Sequence, residues 1–99
     1  MKIGILGAGW IAGKMAETLT GLDNSMKYAV ASRDLGRAKE FATRWGFKKA
    51  YGSYKELVED PDVDLVYIAT PHSHHFEHAS LAVNADKPVL CRSEEHTSE

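Results

Sequence analysis

Cysteine is almost missing from this chain: Cys91 is the only one in 99 residues. That excludes an internal disulfide framework and fits a reducing compartment. No apolar run approaches the ~20 residues needed to span a bilayer. The longest candidate, Ile3–Ala12, sits where a signal peptide would, but three glycines interrupt it and a charged amphipathic segment follows without a clear cleavage site. Charge of one sign is also lacking. Net charge is −2, from 12 basic and 14 acidic side chains, and the acidic excess lies in Arg92–Glu99. A neutral body offers no footprint for nucleic acid or for an anionic membrane. With three prolines and eight glycines there is no low-complexity tract, and no repeat recurs. What remains, 43% hydrophobic and 26% charged, is the composition of one soluble globular domain, expected to be cytoplasmic.

Against that background one stretch stands out: Ile3-Gly4-Ile5-Leu6-Gly7-Ala8-Gly9-Trp10-Ile11-Ala12. A short apolar run ends in two closely spaced glycines, and an amphipathic pattern starts directly after them. This is the form of a buried strand, a tight turn and the first turn of a helix, the G-x-G-x-x-G/A dinucleotide fingerprint. Gly7 permits the sharp turn, Gly9 lets the backbone approach a pyrophosphate, and Ala12 lets the helix pack close to the strand. The free N–H groups over Gly7, Ala8, Gly9, Trp10 and Ile11, at the positive end of the helix dipole, are the expected anion cradle.

The rest of the chain alternates strand and helix. Ile11, Met15, Thr18, Leu19 and Leu22 mark one face of a first helix ending near Gly21. Lys27–Ser32 reads as a second strand. Asp34 is the expected N-cap of a helix carrying Leu35, Ala38, Phe41, Ala42 and Trp45, and Gly46 ends it. Lys49–Tyr51 is a brief third strand, followed by a short helix at Leu57 and Val58 that Ser53 could cap and Pro61 closes. Asp64–Ala69 is a continuous apolar strand, as expected for a sheet covered on both faces. Thr70-Pro71 breaks it. Phe76, Ala79 and Val83 line a fourth helix, and Pro88–Cys91 starts a fifth strand. Connections this short allow only right-handed crossovers, so the fold class is α/β, a doubly wound parallel sheet in order 3-2-1-4-5. The carboxyl ends of the first and fourth strands, Gly7 and Thr70, then flank the ligand crevice.

The residue meeting the adenine ribose is expected ~20 positions past the fingerprint, at the end of the second strand. Counting from Ala12 reaches Ser32, then Arg33. An acidic residue there would repel a 2′-phosphate, whereas a hydroxyl and a guanidinium favour one. Arg37, one turn on, either adds a second cation or is a solvated helix-end charge. The pattern therefore favours NADP over NAD. Four histidines, His72, His74, His75 and His78, follow the fourth strand. His74 and His78 have the spacing of a metal pair, but no glutamate stands between them as in H-E-x-x-H, and no metal is expected. Thr70, Pro71, His72 and His75 lie where the nicotinamide half would run; His74 and His78 are expected at the surface.

Together the fingerprint, Ala31–Asp34, Tyr51–Leu57, Asp62–Thr70, Pro71–His75 and Val89–Cys91 resemble the Gfo/Idh/MocA oxidoreductases. Their wording is similar to the branch of dihydrodiol and D-xylose dehydrogenases, which uses NADP. The resemblance implies an N-terminal Rossmann domain over residues 1–91, here without the last strand and the second α/β domain of that family. It also implies hydride transfer to or from a sugar or related alcohol, a small-molecule substrate held by the second domain, and a homo-oligomeric parent. The family signature continues from Val-Leu-Cys into Glu-Lys-Pro, whose lysine sits beside the reacting hydroxyl. Here those positions are Arg92, Ser93 and Glu94. Serine supplies neither the charge nor the titratable amine, so no catalytic residue is assigned.

Residues 92–99 have no apolar periodicity and are expected to be disordered or foreign to the domain. They can be written in codons as AGATCGGAAGAGCACACGTCTGAA, which looks like a ligation adapter from library preparation. Two other functions stay open: a non-catalytic NAD(P)-sensing module, in which Ser93 is a selected replacement, and an adenosylmethionine-binding methyltransferase domain. Ser32-Arg33 disfavours the latter, because an acidic ribose partner is expected there.

Overall fold

The computed structural model describes residues 2–22, 26–70 and 75–91, with the backbone alone for His75, Phe76 and Cys91. Expectations for Pro71, His72, His74 and the 92–99 segment lie outside the described residues. The elements alternate as β1 (Ile3–Leu6), α1 (Trp10–Leu22), β2 (Lys27–Ala31), α2 (Leu35–Trp45), β3 (Lys49–Tyr51), α3 (Tyr54–Val58), β4 (Leu65–Ile68), α4 (His75–Asn84) and β5 (Val89–Cys91). The strands form one parallel sheet in the order β3-β2-β1-β4-β5. The expected order is therefore the observed one.

Period-two alternation sends the side chains of β1 to opposite faces. Ile3 and Ile5, with Val30 and Tyr67, pack under α1 and α2 against Ala12, Ala16, Leu19, Phe41 and Ala42. Leu6, with Ala29, Ala31, Val66 and Ile68, packs on the other face against Leu57, Val58 and Ala82. Gly4 belongs to that second face. A Cβ there would come within 2.6 Å of the Leu57 side chain, so the missing side chain is what lets α3 sit so close to the sheet. Gly4 had no assigned task in the sequence pattern.

Three helix faces differ from the apolar stripes. On α1 the buried residues are Ala12, Ala16 and Leu19, while Leu22 is exposed; small residues face a closely packed strand, and the larger Ile11 and Met15 flank them. On α2, Asp34 caps as expected, accepting from the Gly36 N–H at 2.9 Å, and Gly46 ends the helix at φ 81°; Leu35 is half-exposed. On α4 the inward face is His78 and Ala82, one helical turn apart, and Val83 points outward. Of the expected stripe, Ala79 packs against the core and only Val83 turns away, the side chain of Phe76 lying outside the described ones; the apolar count missed His78 because it treated histidine as polar surface. Ser53 occupies the N-cap position of α3, but its side chain makes no capping hydrogen bond.

At the amino-terminal end of the sheet, buried polar groups answer one another. Lys27 Nζ donates to the Trp45 carbonyl at 2.6 Å and to Thr20 Oγ1 at 2.9 Å, tying the last turns of α1 and α2 to β2. Asp60 accepts hydrogen bonds from the Tyr51 and Tyr28 hydroxyls, and its second oxygen accepts from the Asp62 N–H. Burial opposes charge on Asp60, but these donors outweigh it and hold its carboxyl below the usual range. Burial and the adjacent carboxylate push Tyr28 up to about 12, and Tyr51 is raised for the same reasons.

Candidate dinucleotide-binding groove

The carboxyl ends of β1 and β4 lie side by side, and the chain leaves them in opposite directions, which opens a crevice. Gly7 begins the turn out of β1. Its N–H donates to the Ala31 carbonyl at 2.7 Å, and its φ is 110°, a conformation that L side chains rarely adopt. A Cβ there would stand 3.2 Å from the Ala69 carbonyl and from Thr70 Cγ2. Gly9 is different: a Cβ on it would meet nothing within 4 Å. It faces open space, which is what close approach of a phosphate requires. Gly9 has no side chain to cap α1, and the first turn of α1 holds no acidic residue, so its leading N–H groups suit an anion.

One cavity of about 350 Å³ gathers Gly7, Ala8 and Gly9 with Ser32, Arg33 and Arg37. Its other walls are Ala69 and Thr70 after β4, Tyr54 at the start of α3, and His78 of α4. Ser32 is buried; its N–H donates to the Tyr51 carbonyl at 3.1 Å, and its hydroxyl oxygen accepts from the Asp34 N–H at 3.3 Å. Arg33 and Arg37 are exposed, and among the described residues neither forms an ion pair. Asp34 is engaged in capping, so the cavity meets cations and a hydroxyl at this point. These groups fit a phosphorylated nucleotide.

Seven of the twelve sequence-derived binding residues line this cavity. Trp10 and Ile11 do so by neither side chain. Trp10 is 74% exposed and lies over Lys14, in a separate groove between α1 and α2, while Ile11 packs into the core. Only their backbone N–H groups are available to an anion. His75 opens α4, its side chain undescribed, and Pro71 and His72 lie outside the described residues. Among the described residues no group of histidine, cysteine and carboxylate side chains could hold a metal, and no helix is long and apolar enough to cross a membrane.

His78 corrects an expectation. It is 3% exposed, with Nδ1 2.6 Å from Thr70 Oγ1 and its ring 4.5 Å from that of Tyr54. The sequence pattern marks neither it nor Tyr54 as a binding residue, yet both line the cavity. The available signal was the i, i+4 pair His78 and Ala82, which makes a continuous inward face once histidine is admitted to it.

A family model described as the oxidoreductase family with an NAD-binding Rossmann fold, Gfo/Idh/MocA, matches residues 1–92. The chain belongs to the Gfo/Idh/MocA oxidoreductase family. It is similar to trans-1,2-dihydrobenzene-1,2-diol dehydrogenase of Mus musculus, 46% identical over 93 residues, which is 92% of this chain and 28% of that protein. Among solved structures it resembles biliverdin reductase from Synechocystis in complex with biliverdin and NADP+, with TM-score 0.78 and 31% identity over 91% of this chain and 28% of the other. Levoglucosan dehydrogenase in complex with NADH gives TM-score 0.76 and 27% identity over 92% and 27%. The chain thus spans little more than a quarter of the length of these relatives. What it carries is the NAD(P)-binding Rossmann domain of the Gfo/Idh/MocA oxidoreductases, and the methyltransferase alternative falls away. The neighbours hold NADP+ in one case and NADH in another, so membership by itself does not choose between the two.

Proposed function

We propose that this chain is the cofactor-holding part of a dehydrogenase that moves hydride between a CH–OH group of a sugar or cyclic diol and NADP. The observation that carries the cofactor choice is that Ser32, Arg33 and Arg37 line the same cavity as the glycine turn. In this reading the N–H groups from Gly7 to Ile11 hold the pyrophosphate, and the two guanidiniums with the Ser32 hydroxyl hold the 2′-phosphate. Thr70, with Pro71, His72 and His75, borders the nicotinamide half. When bound, NADP supplies the ring carbon that exchanges hydride with the substrate. The similarity to a dihydrodiol dehydrogenase supports an alcohol substrate, which a second domain of the whole, homo-oligomeric protein would hold.

Catalysis is assigned to no residue of this chain. Ser93 stands where the family lysine is expected and has no amine to polarise or deprotonate a hydroxyl, so the 99 residues bind cofactor without turnover. Residues 1–91 are the domain, and 92–99 derive from an adapter. An independent genomic clone that reads through Cys91 into the same eight residues would refute the adapter origin.

Titration calorimetry of the 99-residue chain with NADPH and NADH tests the cofactor reading. NADPH is expected to bind about tenfold more tightly, and Arg33→Ala to bring the ratio toward one, the worth of a charge-assisted contact at an exposed site. Equal affinities in the wild type would overturn the NADP assignment, and binding of neither would overturn the groove itself.

A further inference from the structure

A second cavity, of about 280 Å³, adjoins the first and shares Arg33, Tyr54 and His78 with it as walls. Beyond them it adds Ser53, Leu81 and the Glu77 carboxylate. Tyr54 is half-buried and packs against the core on the side of the sheet that α3 and α4 cover. Its ring meets that of His78 at 4.5 Å and 59°, which holds it in place, and the rest of it borders both cavities. Ser53 occupies the N-cap position of α3, yet its hydroxyl is not spent on a capping hydrogen bond.

In NADP the 2′-phosphate and the base hang on neighbouring ribose carbons, so the base lies beside whichever cation holds the phosphate. Arg33 is that cation in the reading above, and it lines both cavities. The two cavities suit different chemistry. The first brings Arg37 and the N–H groups of the turn, all of them donors to an anion. The second adds no further cation, and its carboxylate would repel a phosphate. A phenol ring, a leucine and a hydroxyl suit instead a flat, uncharged base, whose face stacks and whose edge both donates and accepts hydrogen bonds. We infer that Tyr54 stacks on the adenine of the bound dinucleotide in the second cavity, and that the Ser53 hydroxyl hydrogen-bonds to the edge of the same base. This rests on the reading of the first cavity as the NADP groove.

Proton NMR of the 99-residue chain with NADPH tests the contact directly: nuclear Overhauser effects are expected between the adenine protons and the Tyr54 ring. In calorimetric titration, Tyr54→Leu should lose about tenfold in affinity, the worth of one stacked base, while Tyr54→Phe stays within about twofold. The loss should be equal for NADPH and NADH, because both carry adenine, and this separates Tyr54 from Arg33, which acts on their ratio. Ser53→Ala should lose about threefold, one hydrogen bond, again for both nucleotides. NADPH that binds without adenine contacts to Tyr54 would overturn the inference and leave the groove standing. So would Tyr54→Leu binding both nucleotides like the wild type, or a loss confined to NADPH. Ser53→Ala with unchanged affinities would strike the hydroxyl contact. Should Tyr54→Leu fail to fold, the contacts in the wild type decide alone. A wild type that binds neither nucleotide would overturn the groove reading and this inference with it.

Discussion

At the amino-terminal end of the sheet, Lys27 and Asp60 are buried charges whose partners come from the same chain: a carbonyl and a hydroxyl for the lysine, two tyrosines for the carboxylate. At the carboxyl-terminal end, Arg33 and Arg37 face a cavity beside a glycine turn and, among the described residues, pair with no carboxylate. Both ends are polar and both belong to one five-stranded sheet. The first closes its polar groups on themselves and so adds to stability. The second leaves donors aimed outward and so has something to offer a ligand. Polarity alone does not mark a site; polarity directed into a cavity does.

The comparison can be broken first at Asp60. Asp60→Ala removes the acceptor shared by the half-buried Tyr51 hydroxyl and the buried Tyr28 hydroxyl, which keeps only Asp62 at 3.4 Å, and should cost about 3 kcal/mol in urea denaturation, while leaving the NADPH-to-NADH ratio unchanged. A shift in that ratio would show that the two ends are coupled. Gly7→Ala comes next. Its φ of 110° and the 3.2 Å approach of the Ala69 carbonyl should lower stability by about 2 kcal/mol and weaken nucleotide binding as well, because the turn itself must shift. An unchanged affinity would mean that the turn does not form the cradle. Lys27→Met should have a smaller effect, about 1 kcal/mol by the same denaturation measurement, since it leaves the Trp45 carbonyl without its donor but removes a buried charge.

The smallest effect near neutrality is that of pH, and its sign is fixed. Tyr28 is pushed up to about 12 from 10.0. Its contribution is therefore complete below pH 10 and fades as pH rises toward 12, because the unfolded chain ionises first. Asp60 is lowered from 3.8, so its contribution is complete above about pH 4 and is lost as pH falls below that value. Thermal melts across both limits should show these losses. In Asp60→Asn the acid one should shrink, because the group that titrates is gone.

The doubly wound sheet was legible because its signals are local: runs of four to six apolar residues, capping by Asp34, the left-handed stop at Gly46. Seven of the twelve expected binding residues line the groove for a related reason, since strand ends and the turns after them are close in sequence to the strands that position them. The burial of His78 was not legible. Helical periodicity weighs histidine as polar and cannot see that Tyr54, 24 positions earlier, supplies the ring it packs on. Gly4 was hidden in the same way, because its task depends on Leu57 of a different element.

By itself, then, the sequence determined the alternation of elements, the glycine turn and the Ser32-Arg33 pair that follows the second strand. Each depends on backbone geometry and on side chains within a turn or two of one another. Only the tertiary structure decided which polar groups share a cavity and which close on themselves. That depends on contacts such as Thr70 with His78 and Tyr28 with Asp60, between residues that the folding of the sheet, not their spacing, brings together.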